Sequence, residues 1–272
     1  MTDQTTLANE SKRLIQHLVR GDVEGVRALY SGPADIDDPF AGHQVDGGFE
    51  RMVTDWHPVK GAKVTSLEVV HSTAASGFVG TEVDLGLERN GETTTLSIVV
   101  VSAIDADSAF TKTRLYYRRA NIDGEQHFRD RMLDGEIDFD FDPIIAKYQK
   151  ALLERRLDDF LSTFAQDGYF DGHGGPEGER DGLVDLRLGK GMGVYRGHDE
   201  LRQGLGQMFE IADEEGPEGR LEHVNAFSDG VTTVLEFNIL RPDQNHVHAG
   251  VACYELNGDG LIKAARVYDE AW

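Results

Sequence analysis

The second half of this chain repeats the first half, and the repeat is as long as a whole domain. Segment 14–26, in which a Gly21-Asp22 corner separates two apolar stretches, returns as segment 148–160. In the same order, segments 66–70, 81–85 and 114–117 return as 220–224, 235–239 and 266–269. A period of roughly 150 residues is too long for a solenoid unit and has the size of a domain. The chain is therefore predicted to contain two copies of one α+β domain.

Composition sets limits on partners and location. The formal net charge of −22 argues against nucleic acid and anionic membranes, because phosphate binding needs clustered Lys and Arg. The N-terminal residues lack the basic and apolar regions of a signal peptide, and no apolar run approaches the roughly 20 residues of a membrane span. The single cysteine, Cys253, excludes an intrachain disulfide and is expected to be a small core residue. We expect a cytoplasmic protein.

Hydrophobic spacing predicts the elements of the first half. In order they are two helices between residues 7 and 30, a short extended stretch at 36–40, a short helix at 49–55, and strands at 63–72, 76–89, 92–105 and 110–119. Asn90-Gly91 is a strong hairpin signal between the second and third strands.

The second half is predicted to repeat this order. Its helices are expected at 144–153, 157–164 and 199–210, its extended stretch at 169–171, and its strands at 220–227, 232–241, 246–256 and 261–272. The predicted boundaries are 1–122 for the first domain, 123–142 for the linker and 143–272 for the second domain.

Two segments fall outside the repeat. The linker alternates Asp and Phe, which predicts an extended strap with Phe139 and Phe141 packed onto a domain. A calcium loop is disfavoured there, because the required glycine and distal glutamate are absent. The second half alone carries roughly 18 extra residues at 174–193, rich in glycine and charge. This loop is either a lid over a pocket or a surface hairpin.

Several motifs resemble known families. Two segments resemble the start of ketosteroid isomerases, namely 21–26 and Ile36-Asp37-Asp38-Pro39-Phe40-Ala41-Gly42. One segment resembles the third-helix entry of SnoaL-like proteins, namely Tyr195-Arg196-Gly197-His198-Asp199-Glu200-Leu201-Arg202. Segments 250–255 and 265–269 resemble the C-terminal end of these proteins. The resemblance implies two tandem, cone-shaped nuclear transport factor 2-like domains, each with three N-terminal helices packed in a curved antiparallel sheet. This fold hosts enzymes and inert binding modules alike, so function must be argued from the site.

Asp38 is the candidate catalytic residue of the first half. By the resemblance it occupies the position of the general base of ketosteroid isomerases, where partial desolvation helps a carboxylate to move a carbon-bound proton. The two oxyanion donors of that family would fall at Leu14 and Val100, and neither side chain can donate a hydrogen bond. Alternatively, Asp37-Asp38-Pro39 is only a polar turn.

The candidate catalytic residues of the second half are Tyr148, Asp171, His173 and Asp269. The resemblance places Tyr148 at the oxyanion-tyrosine position, although it is equally interpreted as a core tyrosine. Asp171 lies within one residue of the position equivalent to Asp38, and His173 follows it. Asp269 lies on the last strand. A histidine beside a carboxylate titrates near neutrality, so this set is suited to acid–base chemistry.

The candidate substrate-binding residues are His246, His248, Glu236, Asn238 and Tyr195. The two histidines flank Val247 and so share one face of their strand, which the alignment of the two halves turns inward. Alternatively, they are solvated at the end of their hairpin. Glu236 and Asn238 also share a face, either towards a pocket or on the outer side. No third metal ligand has helpful spacing, so neither a metal nor a cofactor is predicted.

Three functions remain open from these residues. The preferred one is a cofactor-free isomerase, cyclase or dehydratase that acts on an apolar carbonyl compound, with the second half active. The second is a non-catalytic binding protein for an apolar metabolite. The third is a structural pseudo-dimer whose chamber is filled by Phe160, Phe164, Met208 and Phe237. The two domains are expected to form an intramolecular pseudo-dimer, and a further homodimer is left open.

Overall fold

The computed structural model describes residues 4–45, 48–125, 127, 129–172, 193–215, 220–240 and 247–268. The chain divides into two compact units. One comprises Met1–Gly124 and Phe227–Asp229, and the other comprises Glu125–Ala226 and Gly230–Trp272. Each half of the chain contributes one six-stranded sheet and its own helices. The α+β class predicted from the sequence is confirmed.

The elements of the first half follow the predicted order. They are α1 (Gln4–Arg20), α2 (Val23–Arg27), β1 (Asp35–Asp38), β2 (Gly42–Val45), α3 (Phe49–Thr54), a 3-10 turn (His57–Val59), β3 (Lys63–Ala75), β4 (Phe78–Arg89), β5 (Glu92–Ile104), β6 (Phe110–Tyr116) and α4 (Ala120–Asp123). The strand order is β2-β1-β6-β5-β4-β3. Strands β1 and β6 pair in parallel, whereas the other neighbours are antiparallel.

Local chemistry explains two corners of the first half. Gly21 adopts φ +64° between α1 and α2, and the Asp22 carboxylate caps α2 by accepting from the Gly25 amide at 2.9 Å. Asn90 and Gly91 both have positive φ, 54° and 86°, in the turn between β4 and β5. Such a two-residue turn matches the right-handed twist of paired strands, as the Asn-Gly signal predicts.

The second half has the same topology. Its elements are α5 (Pro143–Leu153), α6 (Leu157–Leu161), β7 (Phe164–Asp171), β8 (Val194–Arg196), α7 (Gly197–Glu215), β9 (Arg220–Ser228), β10 (Thr232–Leu240), β11 (Val247–Leu256) and β12 (Ile262–Tyr268). The order β8-β7-β12-β11-β10-β9 reproduces that of the first sheet, with β7 and β12 in parallel. The helix predicted at 157–164 is wrong at its end, because Phe164 pairs with Ile262 and begins β7.

Each half has its own hydrophobic cluster, which defines an inner and an outer face of its sheet. The inner face of the first sheet carries Leu85, Ile98, Val100 and Leu115, which pack with the helix residues Leu14 and Ile15. The inner face of the second sheet carries Leu235, Phe237, Ala252, Tyr254 and Ala265. Because side chains alternate along a strand, the residues between these positions point to the outer face.

The linker packs with the second unit. The Ile137 amide donates to the His223 carbonyl oxygen of β9 at 2.8 Å, and the Ala249 amide donates to the Arg129 carbonyl oxygen at 3.1 Å. The ring of Phe141 meets the His223 ring edge-on, with centroids 5.1 Å apart. Within the described ranges, no helix combines the length and the hydrophobicity that crossing a bilayer requires.

Candidate functional site

A pocket of about 410 Å³ lies in the first half, where the end of β1, the following turn, β2 and α3 meet. It is lined by Asp38, Phe40, Ala41, Gln44, Gly48, Arg51, Met52, Asp55, Trp56 and His57. Its volume falls within the usual range for small-molecule sites.

The carboxylate of Asp38 is held by four donors at the base of this pocket. Oδ1 accepts from the backbone amides of Phe40 at 3.0 Å and Ala41 at 2.9 Å. Oδ2 accepts from the indole nitrogen of Trp56 at 3.0 Å and from the hydroxyl of Tyr117 at 2.7 Å. The residue is 1 % exposed. A carboxylate offers about four lone-pair sites, so every acceptor site of Asp38 is used.

The sequence around Asp38 explains why its carboxylate faces inward. Ile36 belongs to the core cluster, and strand alternation places Asp38 on the same face two residues later. Pro39 then ends β1, and the chain turns back so that the next two amides reach the Asp38 carboxylate. Tyr117 reaches it from the end of β6, two residues after the inner-face Leu115.

Aromatic rings form the pocket wall. The Phe40 ring stacks on the His57 ring with centroids 3.9 Å apart, and the Arg119 guanidinium lies 5.9 Å from the Phe40 centroid. Trp56 meets Tyr117 edge-on at 6.4 Å. The Nδ1 atom of His57 is buried and has no hydrogen-bond partner among the described residues. Any hydrogen bond from His57 to a ligand therefore uses Nε2.

The polar groups at the pocket rim differ in their pairing. The Asp55 carboxylate accepts from Lys60 Nζ at 3.0 Å, and Gln44 Nε2 donates to the Ala41 carbonyl oxygen at 2.6 Å. Arg51 is exposed, and its guanidinium has no ion-pair or hydrogen-bond partner in the described part of the chain. Arg51 is thus the charged group at this rim that is available to a ligand.

Tyr148 lies in the interior of the second half. It is 1 % exposed, and its ring packs against Phe160 at 4.8 Å, Phe164 at 5.9 Å and Tyr254 at 5.1 Å. Burial, together with hydrogen bonding to Tyr254, raises the pKa of Tyr148 well above its usual value. The Tyr254 hydroxyl also accepts from Gln149 Nε2 at 2.6 Å. Tyr148 therefore has the surroundings of a core tyrosine, which was the alternative to an oxyanion-binding tyrosine in the sequence analysis.

The third function considered from the sequence, a structural pseudo-dimer, places four side chains in the chamber of the second half, and all four are buried. Phe160 is 0 %, Phe164 2 %, Phe237 5 % and Met208 6 % exposed, and all four belong to one hydrophobic cluster. These four side chains belong to the hydrocarbon cluster in the described interior of the second half.

Asp171 faces away from that interior. In the register of β7 and β12, Asp171 lies opposite Arg266, and its neighbour Phe170 lies opposite the inner-face Ala265. Alternation therefore puts the Asp171 side chain on the outer face, opposite Tyr148. In the first half, Asp37 of β1 lies opposite Arg114 of β6 in the same register.

The register shows which residues of the two halves correspond. Because Arg114 and Arg266 are repeat equivalents, Asp171 corresponds to Asp37, and Gly172 corresponds to Asp38. The predicted convergence of Tyr148 and Asp171 on one cavity is not observed, because the two residues belong to opposite sides of the sheet.

Glu236 and Asn238 also lie on the outer face, since they alternate with the inner-face residues of β10. Glu236 Oε2 accepts from Asn225 Nδ2 at 2.6 Å. Asn238 Nδ2 donates to Glu222 Oε2 at 2.9 Å and to the Leu133 carbonyl oxygen at 3.1 Å. Of the two faces left open by the sequence, the structure selects the outer one.

His248 and Tyr195 are on the inner side of the second half. His248 is 1 % exposed and shares its face of β11 with Ala252, as the sequence predicts. The Tyr195 ring is fully buried and stacks on Phe170 with centroids 6.5 Å apart. Burial raises the pKa of Tyr195. Their roles in substrate binding stay predictions.

Three candidate residues, His173, His246 and Asp269, lie outside the described residues, as does the loop predicted as a lid or hairpin up to residue 192. Sequence reasoning missed Arg51, Trp56 and Tyr117. Tyr117 could have been found, because it is two residues beyond Leu115 on a strand whose alternation is visible. Arg51 and Trp56 carry no distinctive local signal.

A scan against protein-family models gives no match, and no curated protein matches the sequence. Solved structures do match. A SnoaL-like protein of unknown function from Burkholderia thailandensis is 12% identical, over 46% of this chain and 90% of that chain, with a TM-score of 0.32. An NTF2-like protein of unknown function from Cytophaga hutchinsonii is 14% identical, over 49% and 94%, with a TM-score of 0.31.

A third similar structure is a protein with a ketosteroid isomerase-like fold from Catenulispora acidiphila, in complex with trimethylamine. It is 13% identical over 47% of this chain and 86% of that chain, with a TM-score of 0.35. Each match spans about half of the chain, and each half has the helix and strand order expected of this fold. The chain has two tandem copies of one α+β fold, each with the element order that the sequence motifs implied for the nuclear transport factor 2-like fold.

Proposed function

We propose that this chain binds a small, largely apolar molecule in the pocket of the first half and does not transform it. This is the second of the three functions considered from the sequence. The observation that carries the proposal is the full occupancy of the Asp38 carboxylate by four donors beside an open pocket.

The pocket has the character of a binding site. Phe40, Ala41, Met52 and Trp56 supply apolar surface, and Gln44, Arg51 and His57 supply polar atoms at its rim. A mostly apolar cavity with a few placed polar groups is the common form of a small-molecule site. The aromatic contacts of Phe40 and Trp56 hold the wall in one geometry, which lowers the entropy lost on binding.

The same geometry argues against acid–base catalysis by Asp38. A general base needs a lone pair directed at the proton that it removes. Asp38 would have to release one of its four donors first, and it is 1 % exposed. Leu14 and Val100, which stand at the two oxyanion-donor positions, are both fully buried in the core. Asp38 is therefore proposed to shape the pocket by fixing the turn, Trp56 and Tyr117.

The proposal is tested by NMR titration with a set of small planar and alicyclic fragments. The reporters are the Trp56 indole N–H and the Ala41 amide, since both donate to Asp38. A Trp272→Phe background leaves Trp56 as the only indole, because the chain has two tryptophans. We expect saturable shifts of both reporters with some members of the set.

Two variants on β2 sharpen this test. Gln44 lines the pocket, whereas its neighbour His43 is exposed and outside the lining. We expect Gln44→Phe to abolish the saturable shifts and His43→Phe to preserve them. The proposal is overturned if no fragment gives saturable shifts, or if the two variants respond alike.

A further inference from the structure

We infer that the ligand of the first-half pocket is a planar organic acid, whose carboxylate pairs with Arg51 while its ring lies against the aromatic wall. This inference rests on the proposed binding function and adds the chemical class of the ligand. It follows from the pairing of charges around the pocket.

Three charged side chains line the pocket, and two of them are negative. Asp38 is buried and has its acceptor sites filled by four donors. Asp55 holds Lys60 at 3.0 Å. The positive Arg51 has no partner in the described ranges of the chain. Arg51 is therefore the charged lining group whose hydrogen-bond donors are unused, and those donors select an anionic group.

Arg51 is placed to meet such a group at the pocket edge. It lies on α3 next to Met52, which supplies apolar pocket surface, so a bound molecule can contact both side chains. The planar guanidinium donates two parallel hydrogen bonds to a carboxylate, a geometry that neutral acceptors do not match in strength. The Arg119 guanidinium lies over the Phe40 ring, 5.9 Å from its centroid.

The wall favours a flat ligand body. Trp56 and the stacked pair of Phe40 and His57 present rigid rings to the pocket. Aromatic rings prefer offset-stacked or edge-to-face contacts with other rings, which a planar molecule provides. A planar acid also has few rotatable bonds to immobilise on binding.

The test compares three molecules of similar shape, namely benzoate, benzamide and benzylammonium, by the Trp56 indole titration and by calorimetry. We expect benzoate to bind about 10-fold or more tightly than either of the others, because a charge-assisted bidentate pair is stronger than a neutral contact. Arg51→Gln should remove this difference, so that benzoate and benzamide bind alike. Arg51→Lys should restore part of the preference, since it restores the charge without the planar fork.

The matched control is Arg13→Gln. Arg13 is an exposed arginine that pairs with Glu10 on α1 and is not part of the pocket lining. It should leave all three affinities unchanged. Equal binding of benzoate and benzamide to the natural sequence, tighter binding of benzylammonium, or an unchanged preference in Arg51→Gln would overturn the inference. In each of these cases the proposed binding function still holds if the Gln44→Phe and His43→Phe variants differ in their fragment titrations. If none of the three molecules and no fragment of the set binds, both the proposed function and this inference are overturned.

Discussion

The Tyr117 hydroxyl donates a hydrogen bond of 2.7 Å to the buried carboxylate of Asp38. The two residues are 79 positions apart, and they meet because β1 and β6 pair in parallel. This contact joins the ends of the neighbouring strands β1 and β6 beside the pocket. It also occupies a lone pair that proton transfer by Asp38 would require.

Removing the Tyr117 hydroxyl should be more costly than removing another buried hydroxyl of the same half. Tyr117→Phe is expected to lower the free energy of unfolding by about 1.5–3 kcal/mol, because its acceptor is a carboxylate. Tyr30, whose hydroxyl donates to Thr113 Oγ1 at 2.7 Å, is the control. Tyr30→Phe should cost about 0.5–1.5 kcal/mol, since both partners are neutral. Urea unfolding followed by Trp56 fluorescence in Trp272→Phe measures both, and equal losses would contradict this assignment.

Two glycines of α7 should respond oppositely to substitution by alanine. A Cβ at Gly204 would lie 2.4 Å from Cε1 of the Tyr195 ring, whereas one at Gly206 would meet only Leu157 Cδ2 at 3.4 Å. Gly204→Ala is expected to destabilise by about 1–3 kcal/mol through overpacking. Gly206→Ala is expected to stabilise by up to about 1 kcal/mol through helix propensity. Thermal unfolding of the two variants checks this, and a harmless Gly204→Ala would show that the ring moves freely.

The outer-face network of the second half should reject a second negative charge. Asn238→Asp would set a carboxylate against Glu222 and the Leu133 carbonyl oxygen, so we expect a loss of about 2–4 kcal/mol in unfolding free energy. Asn257 is the control, because its Oδ1 only accepts, from the amides of Asp259 and Leu261. Asn257→Asp should therefore be close to neutral in denaturant unfolding. An equal response of the two variants would disprove the network.

His223 should contribute a pH-dependent stability. Burial lowers the pKa of His223 below its usual 6.5, and the charge of Glu136 partly opposes this shift. The unfolded chain therefore binds the proton more readily, so the contribution is complete above the unfolded pKa and is lost as the pH falls towards the folded pKa. In His223→Gln, the unfolding midpoint should fall less between about pH 7.5 and about pH 5.5 than in the natural sequence. Identical pH profiles would rule out His223 as a source.

The repeated pattern of the chain predicted most of the fold. The corner at Gly21-Asp22 and the Asn90-Gly91 hairpin were confirmed, because each depends on a local conformational preference. Strands β2 and β8 were not predicted, since three or four residues at a sheet edge give too little periodicity to recognise.

The candidate site was harder to predict, because a shift of one residue moves a side chain to the other face of a strand. Asp171 was placed within one residue of the Asp38 position, and that single residue separates the inner face from the outer one. Glu236 and Asn238 lie on the outer face, and yet both side chains are buried. Alternation in the sequence shows that the two residues share a face, but it does not show which face of the sheet that is.

Two α+β domains in tandem are specified by the amino-acid sequence alone, because their evidence is the period of the repeat and the local spacing of apolar residues. The pocket of the first half is a property of the tertiary structure. Asp38, at the end of β1, gathers Trp56 and Tyr117 beside that pocket. Those contacts join residues far apart in the chain, and only strand register and packing decide them.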